Sequence, residues 1–154
     1  MKKARLALLA VTLLMMACDG KTKMESATDN ETEDTVVAYE VAKNYFFRND
    51  VDSLPSTPKI TSREDFDKLF GMAAVMGKDG MPTAIDFERQ FVLAVVLPVT
   101  DISTEILPGS LVEHGDTLFY SYEVKTGEKQ TFSMQPVSII ILDKKYADKV
   151  VVIR

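Results

Sequence analysis

Residues 91–97 read Phe-Val-Leu-Ala-Val-Val-Leu, an unbroken apolar run in a chain of 154 residues. A strand with one solvent-exposed face alternates apolar and polar side chains. A run without polar positions therefore predicts an interior strand that is covered on both faces. Residues 137–142 have the same character and predict a second interior strand. We therefore expect other elements to pack over both faces of these two strands.

A partly exposed strand is predicted between the two runs. Residues 117–124 alternate in polarity, which places one set of side chains on the core and the other set towards water. The core set is Leu118, Tyr120, Tyr122 and Val124. Gly115 and Gly127 lie just outside the ends of this segment and predict turns to neighbouring strands. The expected result is a meander that residues 149–153 close as its last strand.

Residues 61–70 predict the main helix. Thr61-Ser62-Arg63-Glu64 has the pattern of a capping box, and Gly71 is a natural end. Its apolar face is formed by Phe66, Leu69 and Phe70. Residues 36–47 fit either a helix or a strand, with a strand favoured at their end. Together these elements predict a single α+β domain over residues 36–154, with one main helix packed on a largely antiparallel sheet.

The amino terminus predicts a signal peptide over residues 1–17. Three positive charges precede an uncharged apolar stretch that ends at Ala17-Cys18, as in secretory signals. The stretch has about half of the roughly 20 residues that a membrane-spanning helix needs. Met15-Met16-Ala17-Cys18 resembles the bacterial lipobox, in which the cysteine becomes the lipidated first residue. Cys18, the only cysteine, is the expected lipid attachment site, and an ordinary signal with an incidental cysteine is the alternative.

Residues 18–35 are expected to form the lipidated cysteine and a disordered acidic tether, because they contain too few apolar side chains for a core. Without residues 1–17 the chain has 15 Lys and Arg against 23 Asp and Glu, a net charge of −8. This balance argues against nucleic acid, whose phosphates are bound by clustered Lys and Arg. The expected location is the bacterial cell envelope, lipid-anchored at the outer membrane and facing the periplasm or the cell surface.

The sequence lacks the signatures of most catalytic sites. Its only histidine, His114, precedes a predicted turn, and no nucleophile elbow, phosphate loop or dinucleotide motif occurs. Paired carboxylates could hydrolyse a glycosidic bond, but spacing in sequence does not show whether two of them converge in a cleft. Met72, Met76 and Met81 could bind Cu(I) through their thioethers, although Met72 and Met76 also fit an apolar turn packed on the core. We expect no catalytic residue, no cofactor, no metal site and no enzymatic activity.

Asp86 lies between Ile85 and Phe87, just before the first apolar run. Its carboxylate would accept hydrogen bonds from backbone N–H groups of a turn, or would point into a groove and contact a partner. The apolar neighbours favour the structural role, because they place the backbone against the core.

The segments around Ile85-Asp86-Phe87 follow one another in an order that is similar to that of a known family. Ile60-Thr61-Ser62-Arg63-Glu64-Asp65-Phe66-Asp67-Lys68-Leu69 is followed by Ile85-Asp86-Phe87, the first apolar run, and Pro136 before the second. From residue 60 to residue 153 the chain resembles the C-terminal domain of the PrcB-type protease-complex inhibitor family. The resemblance implies a shared fold and inhibition of a protease. Residues 98–104 depart from the glycine-rich aromatic segment that is common in the family at this place.

The function expected from these observations is non-catalytic. The chain is expected to be an envelope lipoprotein that binds a protein or peptide partner, with protease inhibition as one form of that binding. A lipoprotein that binds a small ligand or a glycan is the alternative, and a hydrolase is a weaker one.

Replacing Cys18 by Ser is expected to abolish membrane attachment, because the acyl chains have no other thiol to modify. Detergent phase partitioning and intact mass of wild-type and Cys18→Ser protein measure this. An unmodified Cys18 in a wild-type protein that partitions into water would contradict the anchor.

Overall fold

The computed structural model describes residues 33–51, 58–77 and 80–154. The predicted signal peptide, Cys18 and most of the predicted tether lie outside the described residues. Within these ranges 56% of the residues lie in strands and about 9% are helical. The prediction of an α+β fold with one main helix on a sheet is therefore wrong, because the described chain is mostly β and is built from several sheets.

The described residues form ten strands, one α-helix and one 3-10 turn. The strands are β1 (Thr35–Val36), β2 (Glu40–Ala42), β3 (Tyr45–Phe47), β4 (Lys59–Ile60), β5 (Phe70–Met72), β6 (Gln90–Val96), β7 (Thr100–His114), β8 (Thr117–Met134), β9 (Val137–Asp143) and β10 (Val150–Ile153). Helix α1 is Arg63–Leu69, and the 3-10 turn is Lys144–Tyr146. The first sheet has the order β1-β7-β8-β10, the second has the order β2-β9-β6-β4, and β3 pairs with β5.

The central pairs of the two large sheets are halves of one long β-ribbon. β6 and β9 pair along their whole length, and the N–H of Leu97 continues the pairing by donating to the Pro136 carbonyl (3.0 Å). β7 and β8 extend the ribbon to the turn at Gly115, whose φ of 57° suits glycine. The register shifts twice between Thr100 and Thr104. Such bulges bend a ribbon, so its second half folds over its first.

Two cores lie on the two faces of the second sheet. One fills the space between the large sheets, where alternate residues of β6 and β9 meet side chains of β7 and β8. The other alternate residues face α1 and the antiparallel pair of β3 and β5. The fully covered side chains of these two strands include Phe91, Val92, Leu93, Ile140 and Leu142. The prediction of two strands covered on both faces is confirmed.

The predicted helix lies at the expected place but is short. Phe66, Leu69 and Phe70 are buried as predicted. The N-cap is Ser62, one residue later than the predicted capping box, and its hydroxyl accepts the Asp65 N–H at 3.1 Å. Gly71 does not cap the helix, because Phe70 already begins β5. With seven residues, α1 covers only part of one face of the second sheet.

The predicted meander is wrong in two respects. Gly127 does not end the strand that begins at Thr117, because β8 continues to Met134. β10 pairs with β8 and runs parallel to it, whereas the remaining strand pairs described are antiparallel. The turn predicted at Gly115 is confirmed, because it joins β7 to β8. The extent of β7 was not predicted, because Pro108 and Gly109 lie at a third register shift inside the strand rather than in a turn.

Replacing Leu93 by Ala is expected to destabilise the fold by about 2–5 kcal/mol, because a fully buried side chain between the large sheets leaves a cavity. Val99→Ala, at an exposed position, should change stability by less than about 0.5 kcal/mol. Urea denaturation of both variants measures the difference. Equal effects of the two substitutions would contradict the two-sided burial of β6.

Candidate functional site

The outer face of the first sheet carries a row of apolar side chains. Val36 faces Val112, Val112 faces Phe119, and Phe119 faces Val152, so the row crosses β1, β7, β8 and β10. The residues next to them in sequence, such as Val37, Leu111 and Leu118, point into the core. Val36 is 79% exposed and Val152 is 37% exposed. We call these four residues the apolar row.

Polar groups surround a hollow of about 490 Å³ at this row. The Arg154 guanidinium lies over the Phe119 ring, 3.8 Å from its centroid, a cation–π contact. No carboxylate described in the structure forms an ion pair with Arg154. The Ser110 and Ser121 hydroxyls are 2.9 Å apart. The hollow therefore combines an apolar floor with a cation and hydrogen-bonding groups.

His114 lies at the edge of the same hollow. Its Nδ1 is 2.8 Å from Asp34 Oδ1, and its side chain is about half exposed. Ser110 is four residues away on the same strand, which corresponds to roughly 13 Å along an extended backbone. That distance is too long for His114 to activate the Ser110 hydroxyl directly. The arrangement suits recognition by hydrogen bonds and apolar contact better than acyl transfer.

Asp86 has the structural contacts that its sequence position predicts. Its Oδ1 accepts the Glu88 N–H at 3.0 Å, and its Oδ2 is 2.9 Å from Arg89 Nε. The Glu88 N–H and then the Arg89 side chain hold the pKa of the Asp86 carboxyl below its usual value. A general acid needs a raised pKa, so this carboxyl is unsuited to protonating a leaving group.

Glu40 and Asp143 also line the cleft beside Asp86, and the Asp143 carboxylate is engaged as well. Asp143 lines that cleft, and its Oδ1 accepts the Lys145 N–H at 2.9 Å. Among the described residues no group of three or more His, Cys, Asp or Glu side chains is placed to hold a metal ion. Two of the three carboxylates that line the cleft, those of Asp86 and Asp143, thus accept hydrogen bonds from local backbone N–H groups.

The tyrosines that could contact a sugar pack on the two cores instead. Tyr120 is 99% buried, and burial raises the pKa of its hydroxyl to about 12. Tyr39, Tyr122 and Tyr146 pack against the core between the large sheets, and Tyr45 packs against the other core. No stacked pair of exposed tyrosines is therefore offered to a glycan by the described part of the chain.

The methionines differ most from their predicted positions. The interpretation of Met72 and Met76 as core packing is wrong, because Met72 is 64% exposed and Met76 is fully exposed. Met81 is also exposed. Met72 ends β5, Met76 and Met81 lie in the segment that follows it, and none of the three lines the hollow on the first sheet.

Several residues of the hollow escaped prediction because four separate segments, at residues 34, 110–114, 119–121 and 154, form it. The alternation of residues 117–124 did place Phe119 and Ser121 on the face opposite the core. Only the parallel pairing of β10 and the pairing of β1 bring Val152, Arg154 and Val36 beside them. No local pattern indicates those pairings.

Comparison with known proteins finds no matching family model, and no significant match among curated proteins or solved structures. Within the described residues, no helix is long and apolar enough to cross a membrane.

Replacing Asp86 by Ala is expected to lower the urea midpoint at pH 7, because the Glu88 N–H loses its acceptor. A depressed pKa contributes stability that is present above the unfolded pKa of about 3.9 and is lost as pH falls through the folded pKa. The deficit should therefore shrink below about pH 4. Asp86→Asn retains a hydrogen-bond acceptor, so its urea midpoint should lie between those of the wild type and Asp86→Ala. A midpoint unchanged in Asp86→Ala at pH 7 would contradict the structural role.

Proposed function

We propose that this chain is a non-catalytic lipoprotein of the bacterial envelope that binds a protein or peptide partner on the outer face of its first sheet. The lipid is attached at Cys18, and the acidic segment that follows tethers the domain. The observation that supports partner binding is the apolar row, which lies on a face where a free sheet would present polar side chains.

The composition of this face is that of a recognition surface. Protein interfaces combine an apolar centre with a polar rim and are enriched in aromatic residues and Arg. Phe119 and Val112 form the centre, while Ser110, Ser121 and Arg154 supply hydrogen-bond donors around it. Four strands spaced about 4.8 Å apart make the row about 14 Å wide. That width fits a short peptide segment or the centre of a modest protein interface.

A protease is the partner class that the resemblance to the PrcB-type inhibitor family supports. The segment that departs from the family, residues 98–104, contains the bend of the ribbon and the start of β7. Its bulges fix how the two large sheets meet. Any inhibition by this chain would therefore use a surface other than a projecting loop at this place, and the apolar row is the candidate.

Two substitutions test the surface without disturbing the cores. Val36→Asp and Arg154→Gln are expected to weaken partner binding about tenfold or more, because a charge in an apolar centre and loss of a guanidinium are costly at interfaces. Phe132→Asp is the matched control, since Phe132 is exposed on the distal part of β8. Quantitative pull-down from detergent-solubilised membranes with the lipidated protein measures the effect.

The readout is any protein that the wild type and the Phe132→Asp control capture equally. Loss of that protein from the pull-downs with both Val36→Asp and Arg154→Gln supports binding at the outer face of the first sheet. Equal capture by all four proteins would place the binding surface elsewhere, and wild-type melting curves for the variants exclude unfolding as the cause.

A further inference from the structure

A second apolar surface lies at the end of β5 and in the segment that follows it. It consists of Met72, Val75, Met76 and Met81, which are each more than half exposed. We call these four residues the apolar tip. Large apolar side chains scattered singly on a surface are ordinary, but four within ten residues form a concentrated exposed surface.

The segment that carries the tip is nearly free of charge. Charged residues make up 27% of the chain, yet residues 70–85 contain only Lys78 and Asp79. Without residues 1–17 the chain carries a net charge of −8, and the two charges of the segment cancel, so electrostatic attraction to anionic lipids does not favour this contact. Contact through the tip would have to be hydrophobic.

Backbone hydrogen bonds hold the described part of this segment in place. The Ala73 N–H donates to the Asn44 carbonyl (2.8 Å), and the Val75 N–H donates to the Gly80 carbonyl (2.9 Å). The Asn44 side-chain amide donates to the Met81 carbonyl (3.0 Å). Peptide groups that are already paired lose less free energy when they leave water. These hydrogen bonds lower the free-energy cost of moving the paired backbone groups of the tip from water into an apolar medium.

The length of chain before Glu33 places a bilayer within reach of the domain. The segment between Cys18 and Glu33 can span at most about 50 Å. A bilayer that holds the lipid on Cys18 therefore lies within that distance of Glu33.

We propose that the apolar tip lies in the interfacial region of the bilayer that carries the anchor and orients the domain on it. This inference rests on the lipid anchor at Cys18 in the proposed function. The pair formed by β3 and β5 lies on the opposite side of the second sheet from the first sheet. Two layer spacings of about 10 Å separate them, which the tether can span. The apolar row then faces the aqueous phase.

A single introduced tryptophan reports the contact, because the chain has none of its own. Met76→Trp places the probe in the tip, and Val36→Trp places a matched exposed probe on the apolar row. Each mature chain is coupled through Cys18, the only thiol, to a maleimide lipid in phosphatidylcholine vesicles. The Met76→Trp emission is expected to shift to shorter wavelength and to be quenched by brominated lipid, while the Val36→Trp emission is expected to be unchanged.

Charged variants complete the test. Val75→Asp and Met81→Asp, each added to Met76→Trp, should abolish both the shift and the quenching. Quenching of Met76→Trp no greater than that of Val36→Trp would overturn the proposal. A shift of Met76→Trp that depends on protein concentration and occurs without vesicles would overturn it in favour of self-association.

Acylation of Cys18 in cells is measured separately from the contact of the apolar tip with lipid. The coupling supplies the lipid chemically, so quenching does not depend on whether cells acylate Cys18. Intact mass of the protein purified from membranes reports that acylation. An unmodified Cys18 combined with quenched Met76→Trp would refute the proposed anchor and leave the lipid affinity of the tip established.

Discussion

The bulged bend of the β-ribbon between Leu97 and Thr104 is the constraint on which the rest of the structure depends. The ribbon supplies the central strands of both large sheets, so the core between the sheets exists only once the ribbon has folded over. The flanking strands β1 and β10 pair only with strands of the second half of the ribbon, β7 and β8. A bend set by register shifts therefore determines both the core and the outer face that carries the apolar row.

The features that the sequence predicts correctly are those with a local period. An unbroken apolar run identified β6 as covered on both faces, and the spacing of Phe66, Leu69 and Phe70 identified the buried face of α1. Both patterns depend on how successive side chains point, which a single segment determines. The fold class depends on the length of α1 and on the number of strands that lie outside periodic segments. A local period determines neither of these, so the predicted fold class was wrong.

The features that escaped prediction depend on residues far apart in sequence. β7 contains Pro108 and Gly109, which normally mark turns, but a register shift accommodates both inside a strand. At Gly109 an added Cβ would lie 2.8 Å from Ser121 Oγ, so the glycine allows the close approach of β8. Gly127 likewise lies inside β8. In the sequence, a glycine that allows close strand pairing cannot be distinguished from a glycine that forms a turn. The distinction requires knowledge of the partner strand.

The apolar row has one competing explanation, which is stabilisation of the sheet itself. Cross-strand pairs of β-branched and aromatic residues contribute about 0.2–1 kcal/mol each, and Val is favoured in strands for its shape. That explanation fits Val112 and Phe119, which lie in the two central strands. It does not fit Val36, which is 79% exposed at the sheet edge and gains little from one neighbour. Thr would satisfy the same backbone preference without exposing an apolar side chain. An apolar residue at that edge is better explained by a surface that covers it.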